Sequence, residues 1–277
     1  MSAITTAAQR GPRTARDGVV TWPRVLHSEW AKLWSLRSTR WSIAVALIAM
    51  TFTGVIVSAV NMSRWHTMTP FSRVHYDALD MSLSGVVFAR LAIGILGVLV
   101  ITGEYSTGMI RSSFMAVPRR LPVLWAKVGV FSAVTFVLSL AGALISFLIS
   151  APIVHAHMPL SISQPHALRA ILGVALVMAV LAVFCVSLGA LIRNTAGGIT
   201  AFAAIFFVLP GVVEILGTSI KNSVSPYLPS NAAATLYTAR PDAGSHTLSP
   251  WGGFALFCGY TLATLAVSAY LLRKRDA

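Results

Sequence analysis

Residues 171–192 read ILGVALVMAVLAVFCVSLGALI, from Ile171 to Ile192, without one charged side chain. A helix needs about 20 apolar residues to cross the roughly 30 Å hydrocarbon core of a bilayer, and this stretch has that length. Five more runs of the same kind lie on either side of it, at Trp41–Val60, Leu83–Thr102, Val128–Ser150, Gly197–Leu216 and Trp251–Leu272. They lack the short alternating segments of a membrane β-barrel. No self-similarity at 20–50 residues marks a repeat array. The pattern predicts an all-α integral membrane protein with six transmembrane helices.

Composition agrees. The 277 residues are 56% apolar and only 10% charged, with a mean hydropathy of +0.76. A soluble domain carries about 25% charged residues, so this chain lacks the polar groups to cover a water-facing surface. Its apolar content excludes disorder, and two cysteines exclude a disulfide scaffold. A net charge of +13 would suggest nucleic acid for a soluble protein. Here the basic residues sit at the edges of apolar runs, where they set topology. The expected partner is the lipid bilayer, with no nucleic acid.

Those edges also predict orientation. Arg10, Arg13, Arg16, Arg24, Lys32, Arg37 and Arg40 precede the first span. Arg111, Arg119, Arg120 and Lys127 lie between the second and third, Arg193 between the fourth and fifth, and Arg273, Lys274 and Arg275 after the sixth. The other side holds Arg64, Arg73, Arg169, Lys221 and Arg240. By the positive-inside rule both termini are cytoplasmic. The first apolar run is too long for the core of a cleaved signal peptide and reads as an uncleaved anchor.

Residues 1–20 read as a disordered basic tail, and 21–277 as one membrane domain. Trp22, Leu26, Trp30, Leu33 and Trp34 recur at helical spacing, with Arg24, Ser28, Lys32 and Ser35 opposite. Tryptophan favours the headgroup level. The stretch therefore predicts an amphipathic helix, Glu29 included, that either lies on the cytoplasmic membrane surface or packs on another subunit.

The loop between the second and third spans reads GEYSTGMIRSSFMAVPRRLP, from Gly103 to Pro122. Tyr105, Met109, Ile110, Phe114 and Val117 form an apolar stripe of helical period. Glu104 is expected in the first turn of this helix, where the dipole favours a carboxylate. Pro118 stops it, and Pro122 opens the next. The result is a short amphipathic helix whose apolar face needs lipid or a protein partner, or which merely ties two spans together.

The E-Y-x-x-G-x-I-R stretch at Glu104–Arg111, followed by Pro118, Arg119, Arg120 and Lys127, resembles the permease subunits of ABC-2-type transporters. Ser28-Glu29-Trp30-Ala31-Lys32-Leu33 resembles the connecting helix of such subunits, particularly actinobacterial ones. Met109 departs from the pattern, standing where many relatives have a small polar residue. The resemblance implies a bacterial cytoplasmic membrane protein in which two permease subunits, as a homodimer or a heterodimer, form the pathway. Two separate ATPase subunits would bind ATP and Mg beneath them. Glu104, Tyr105, Gly108, Arg111 and Phe114 would then dock on the ATPase, the charged pair by charge-assisted contacts and the aromatics as anchors.

The chain has no G-x-x-x-x-G-K-[ST] phosphate loop; Gly217-Thr218-Ser219-Ile220-Lys221 lacks the second glycine. No cofactor and no enzymatic activity of its own are therefore expected. The E-A-A…G loop of ABC importers is also absent, which favours export. The cargo stays open among hydrophobic drugs, lipids and peptides.

Arg90 lies about 10 Å inside the second span at helical rise, and Glu214 about 3 Å inside the fifth. They either pair or line an outer vestibule, or snorkel to the headgroups. Pro210-Gly211 interrupts the fifth run, and Pro226 and Pro229 follow it, which predicts a broken helix end and a re-entrant or surface segment. His155-x-His157 lacks carboxylate or cysteine partners, so no metal site is expected. An ion-coupled secondary transporter or channel is the alternative function; it would favour several polar residues inside the spans and inverted repeats.

Overall fold

The computed structural model describes residues 21–35, 37–69, 73, 77–109, 121–155, 158, 160–164, 166–216, 218–239 and 248–274. Most of these residues are helical, with no strand among them. Six helices are long and apolar enough to cross a membrane: Thr39–Ser63, Ala78–Ser106, Leu121–Val154, Ala167–Ile192, Thr195–Ile215 and Pro250–Lys274. Each contains one of the expected runs to within a residue.

Ahead of them stands α1 (Trp22–Ser35), which packs on the helix of the third span and meets α2 (Arg37–Ser63), the helix of the first span. The second span has two parts. In α3 (Ala78–Leu83), Asp77 caps the first turn by accepting from the Leu79 amide at 2.8 Å. A turn at Ser84-Gly85 leads into α4 (Val86–Ser106). Gly85 permits a close approach to the first span: a Cβ there would lie 1.8 Å from the Met50 carbonyl oxygen. The third span, α5 (Leu121–Val154), has 34 residues. At helical rise that is about 50 Å, longer than the hydrocarbon core.

The fourth span, α6 (Ala167–Ile192), is the hub. It packs against α4, α5 and the sixth span, α11 (Pro250–Lys274), and 72% of its apolar window is buried, against 22% for the first and fifth spans. An aromatic group locks spans four to six: Phe184 meets Phe206 edge-on at 5.6 Å, and Phe206 meets Phe257 edge-on at 6.0 Å.

The fifth span is irregular for a local reason. After α7 (Thr195–Ala203) the chain widens into a π-helical turn at Ala204–Val208, then resumes as α8 (Leu209–Ile215). Pro210 has no N–H, and its ring crowds the carbonyl four residues back. The helix accommodates this by the Leu209 amide reaching five residues back to Ala204.

Beyond α8, α9 (Thr218–Val224) and α10 (Pro229–Ala234) precede the last span. The α10 segment packs into the bundle: Ala232 and Ala233 on it, and Leu236 just after it, are buried. Three side chains pin the turn after it. Arg90 Nη2 donates to the Tyr237 hydroxyl at 3.3 Å, Arg169 Nη2 donates to the Thr238 carbonyl at 3.0 Å, and Asp80 accepts from the Ala239 amide at 2.9 Å.

One open alternative falls here, and one expectation is corrected. Arg90 and Glu214 do not pair. Arg90 is half-buried, bonded to Tyr237 and stacked 5.9 Å over the Phe207 ring, whereas Glu214 is exposed and pairs with Lys221 at 2.6 Å. The arginine finds a hydroxyl and a ring on the packed face of its span, so the exposed carboxylate never faces it. Glu104 lies on the last turn of α4, not the first turn of a separate helix. Nothing between Thr102 and Ser106 interrupts the helical ladder. The helix ends where Gly108 adopts φ +72° and the Thr107 and Gly108 amides bond the Gly103 and Tyr105 carbonyls.

Candidate functional site

Glu104 is thus on the unfavourable end of a helix for a carboxylate, and it is buried. Its setting compensates for both. Glu29 and Lys32 come from α1, three residues apart and therefore neighbours on one helix. Lys127 comes from the second turn of α5. Each carboxylate faces both lysines. Glu29 Oε1 takes Lys32 Nζ at 2.6 Å, and Glu29 Oε2 takes Lys127 Nζ at 2.6 Å. Glu104 Oε1 is shared between Lys127 Nζ at 2.9 Å and Lys32 Nζ at 3.1 Å.

The side chains of Glu29 and Lys127 are each 4% exposed, that of Glu104 10% and that of Lys32 30%. Two positive and two negative charges cancel within the cluster. Burial alone lowers the affinity of Lys32 for its proton, but the hydrogen bond and charge of Glu29, then the charge and hydrogen bond of Glu104, outweigh it and hold its pKa above the ordinary lysine value. Removing one member would leave a buried charge uncompensated, at a cost of about 3–5 kcal/mol. Chemically the cluster is a tie: it binds α1, the end of α4 and the start of α5 into one unit.

A half-open cavity of about 340 Å³ lies against this tie, walled by Leu33, Leu96, Leu99, Val100 and Val130, with Glu104 and both lysines in its lining. Glu104 Oε2 is buried and accepts no hydrogen bond among the described residues.

The expected docking residues separate. Glu104 is internal. Tyr105 is half-buried, its ring 5.4 Å beneath the Arg193 guanidinium of the connection between spans four and five. Gly108 terminates α4. Arg111 and Phe114 lie outside the described residues. On α1, Trp22, Leu26, Trp30 and Trp34 are exposed, while Val25, Glu29 and Leu33 are buried against the bundle. The apolar stripe read from the sequence therefore divides into an inward and an outward face.

Sequence reading missed the joining of Glu29 and Glu104 through Lys32 and Lys127. A signal was present: of only eight acidic residues, these two stand at the margins of apolar runs on the side rich in lysine and arginine. Compared with known proteins, the chain matches no family model and no curated sequence.

Proposed function

We propose that the chain is the membrane-spanning permease subunit of an ATP-driven exporter of the ABC-2 type, seated in a bacterial cytoplasmic membrane with both termini in the cytoplasm. A separate ATPase subunit holds ATP and Mg; this chain supplies the pathway and no catalysis of its own. A second permease chain, identical or related, completes the pathway for a hydrophobic drug, lipid or peptide. In this reading α1 rests on the cytoplasmic membrane surface, with Trp22, Leu26, Trp30 and Trp34 toward the headgroups.

The observation that carries the reading is the buried tie among Glu29, Lys32, Glu104 and Lys127. It sits where α4 gives way to the loop that bears the ABC-2-like motif. A push on that loop acts on the end of α4 and, through the ion pairs, on α1 and α5 together. Nucleotide-driven closure of an ATPase then favours one arrangement of the spans over another, as differential affinity for two states requires. The apolar faces of the first and fifth spans, whose windows are only 22% buried, suit cover by lipid or by the second permease.

Co-purification in mild detergent tests the reading, with the tagged wild type beside Phe114→Asp and Arg111→Glu. A protein with a phosphate-binding loop that accompanies the wild type and is lost from both variants supports it. No such ATPase with the wild type, or one retained by both variants, overturns it. Glu104→Arg is unsuitable for this purpose, because it breaks the internal tie.

A further inference from the structure

The cavity beside the tie is walled by two unlike helix faces, and the permease reading does not use it. On α2, Thr39, Ser42, Ile43 and Ala46 share one side at helical spacing. Thr39 and Ser42 line this cavity, while Ile43 and Ala46 line a narrow apolar one of about 30 Å³, bordered by Met50 and Phe131. Thr39 opens the apolar segment Thr39–Ser63, so the face carries hydroxyls at the membrane edge and aliphatic groups deeper in. From α4 come Leu96, Leu99, Val100 and Gly103, again at helical spacing, and Leu96 borders both spaces.

The hydroxyls that line the cavity divide into two sets. Ser35 donates to the Lys32 carbonyl at 2.9 Å, and Ser106 and Thr107 donate to the Gly103 carbonyl at 3.0 and 2.9 Å. The Thr39 and Ser42 hydroxyls have no hydrogen-bond partner among the described residues, although Thr39 is only 7% exposed. A hydroxyl taken from water costs free energy until a partner reaches it. The ionic end adds no net charge, because its two carboxylates and two ammonium groups cancel. An ionic head seated there would lose its hydration and find no unpaired counter-charge.

We infer that this cavity binds an uncharged amphiphile with a hydroxyl head, which bonds Thr39 and Ser42 while its alkyl chain lies along Leu96, Leu99 and Val100. A hydroxyl both donates and accepts, so one head serves two side-chain hydroxyls. The volume of about 340 Å³ falls in the range of small-molecule sites, whose usual lining is apolar with a few placed polar groups. The ligand is either a diacylglycerol from the bilayer or a free monoglyceride or long-chain alcohol, two sources of one chemistry.

Native mass spectrometry of the full chain in phosphatidylcholine nanodiscs tests this, with 1-monolauroylglycerol, laurate and dodecyltrimethylammonium titrated separately. One monolauroylglycerol should bind at about tenfold lower concentration than either charged probe. Thr39→Val, which keeps the shape and removes the hydroxyl, should weaken it about fivefold, the scale of one hydrogen bond. Leu99→Trp, at a position already 39% exposed, narrows the cavity without touching the ion pairs and should weaken it about tenfold. Displacement of the probe by added dioleoylglycerol identifies the bilayer as source; failure to displace it identifies a free alcohol or monoglyceride, and either result upholds the site. A charged probe that binds as tightly as the glyceride, or glyceride binding undiminished by Thr39→Val or by Leu99→Trp, overturns the inference. None of these readouts depends on an ATPase.

Discussion

Lys127 Nζ lies 2.6 Å from Glu29 Oε2, and both side chains are 4% exposed although 98 residues separate them in the chain. The contact joins the helix before the first span to the start of the third. Neither position is favourable alone: a lysine near a helix start opposes the dipole, and a buried glutamate requires a counter-charge.

Lys127→Ala should therefore destabilise the protein by about 3–5 kcal/mol, because Lys32 alone then faces two buried carboxylates and one negative charge is left uncompensated. Glu29→Ala should do likewise. The double variant Glu29→Ala/Lys127→Ala should lose markedly less than the sum of the two, because each first substitution removes the counter-charge that the second would strand. Thermal unfolding in detergent, followed by tryptophan fluorescence, reads the cycle. Simple additivity would show that the pair is uncoupled.

The raised pKa of Lys32 has a definite sign in stability. A cation whose folded pKa exceeds its unfolded one contributes fully below the unfolded value and loses that contribution as pH rises through the folded value. The stability difference between wild type and Lys32→Met should be level from pH 6 to 9 and shrink only above about pH 10.5. A difference that already falls between pH 7 and 9 would contradict the charge pairing.

Arg90 and Glu214 were candidates for one site, and the structure gives them separate partners. A double-mutant cycle of Arg90→Ala with Tyr237→Phe should yield a coupling of about 1 kcal/mol, the value of a modest hydrogen bond. The cycle of Arg90→Ala with Glu214→Gln should yield about zero. Reversal of the two results would restore the outer pair.

Two glycines should respond differently. Gly85→Val meets the Met50 backbone and should cost about 3 kcal/mol or more, since backbone cannot yield as a side chain does. Gly108→Ala meets no atom and suffers only its left-handed φ of +72°, about 1–2 kcal/mol. The fraction eluting as a single folded species in size-exclusion chromatography, measured against temperature, ranks them. Equal losses would show that the approach of Gly85 to Met50 is not tight.

Much of the architecture was legible because its cause is local. A run such as Ile171–Ile192 has no charge to interrupt a span, and Pro210 forces an irregular helix wherever it lies. The Pro226 and Pro229 punctuation likewise announced the segment before the last span. The loop after the second span was misread at its start, because helical period is the same for a helix that continues and for one that begins anew. Tyr105 and Glu104 kept their period and belonged to α4.

The sequence by itself determined six apolar helices, the short helix before them and the broken fifth span, since burial in a bilayer and backbone chemistry act within each segment. Only the tertiary structure decided which charges meet. Glu29, Glu104 and Lys127 are 98 and 23 residues from one another along the two lysine contacts, and their pairing depends on how α1 crosses α4 and α5. It likewise divided the face of α1, sending Leu33 inward and leaving Trp30 and Trp34 outside. Periodicity shows that a helix has an apolar side. Which part of that side is covered is decided by the neighbour it packs against.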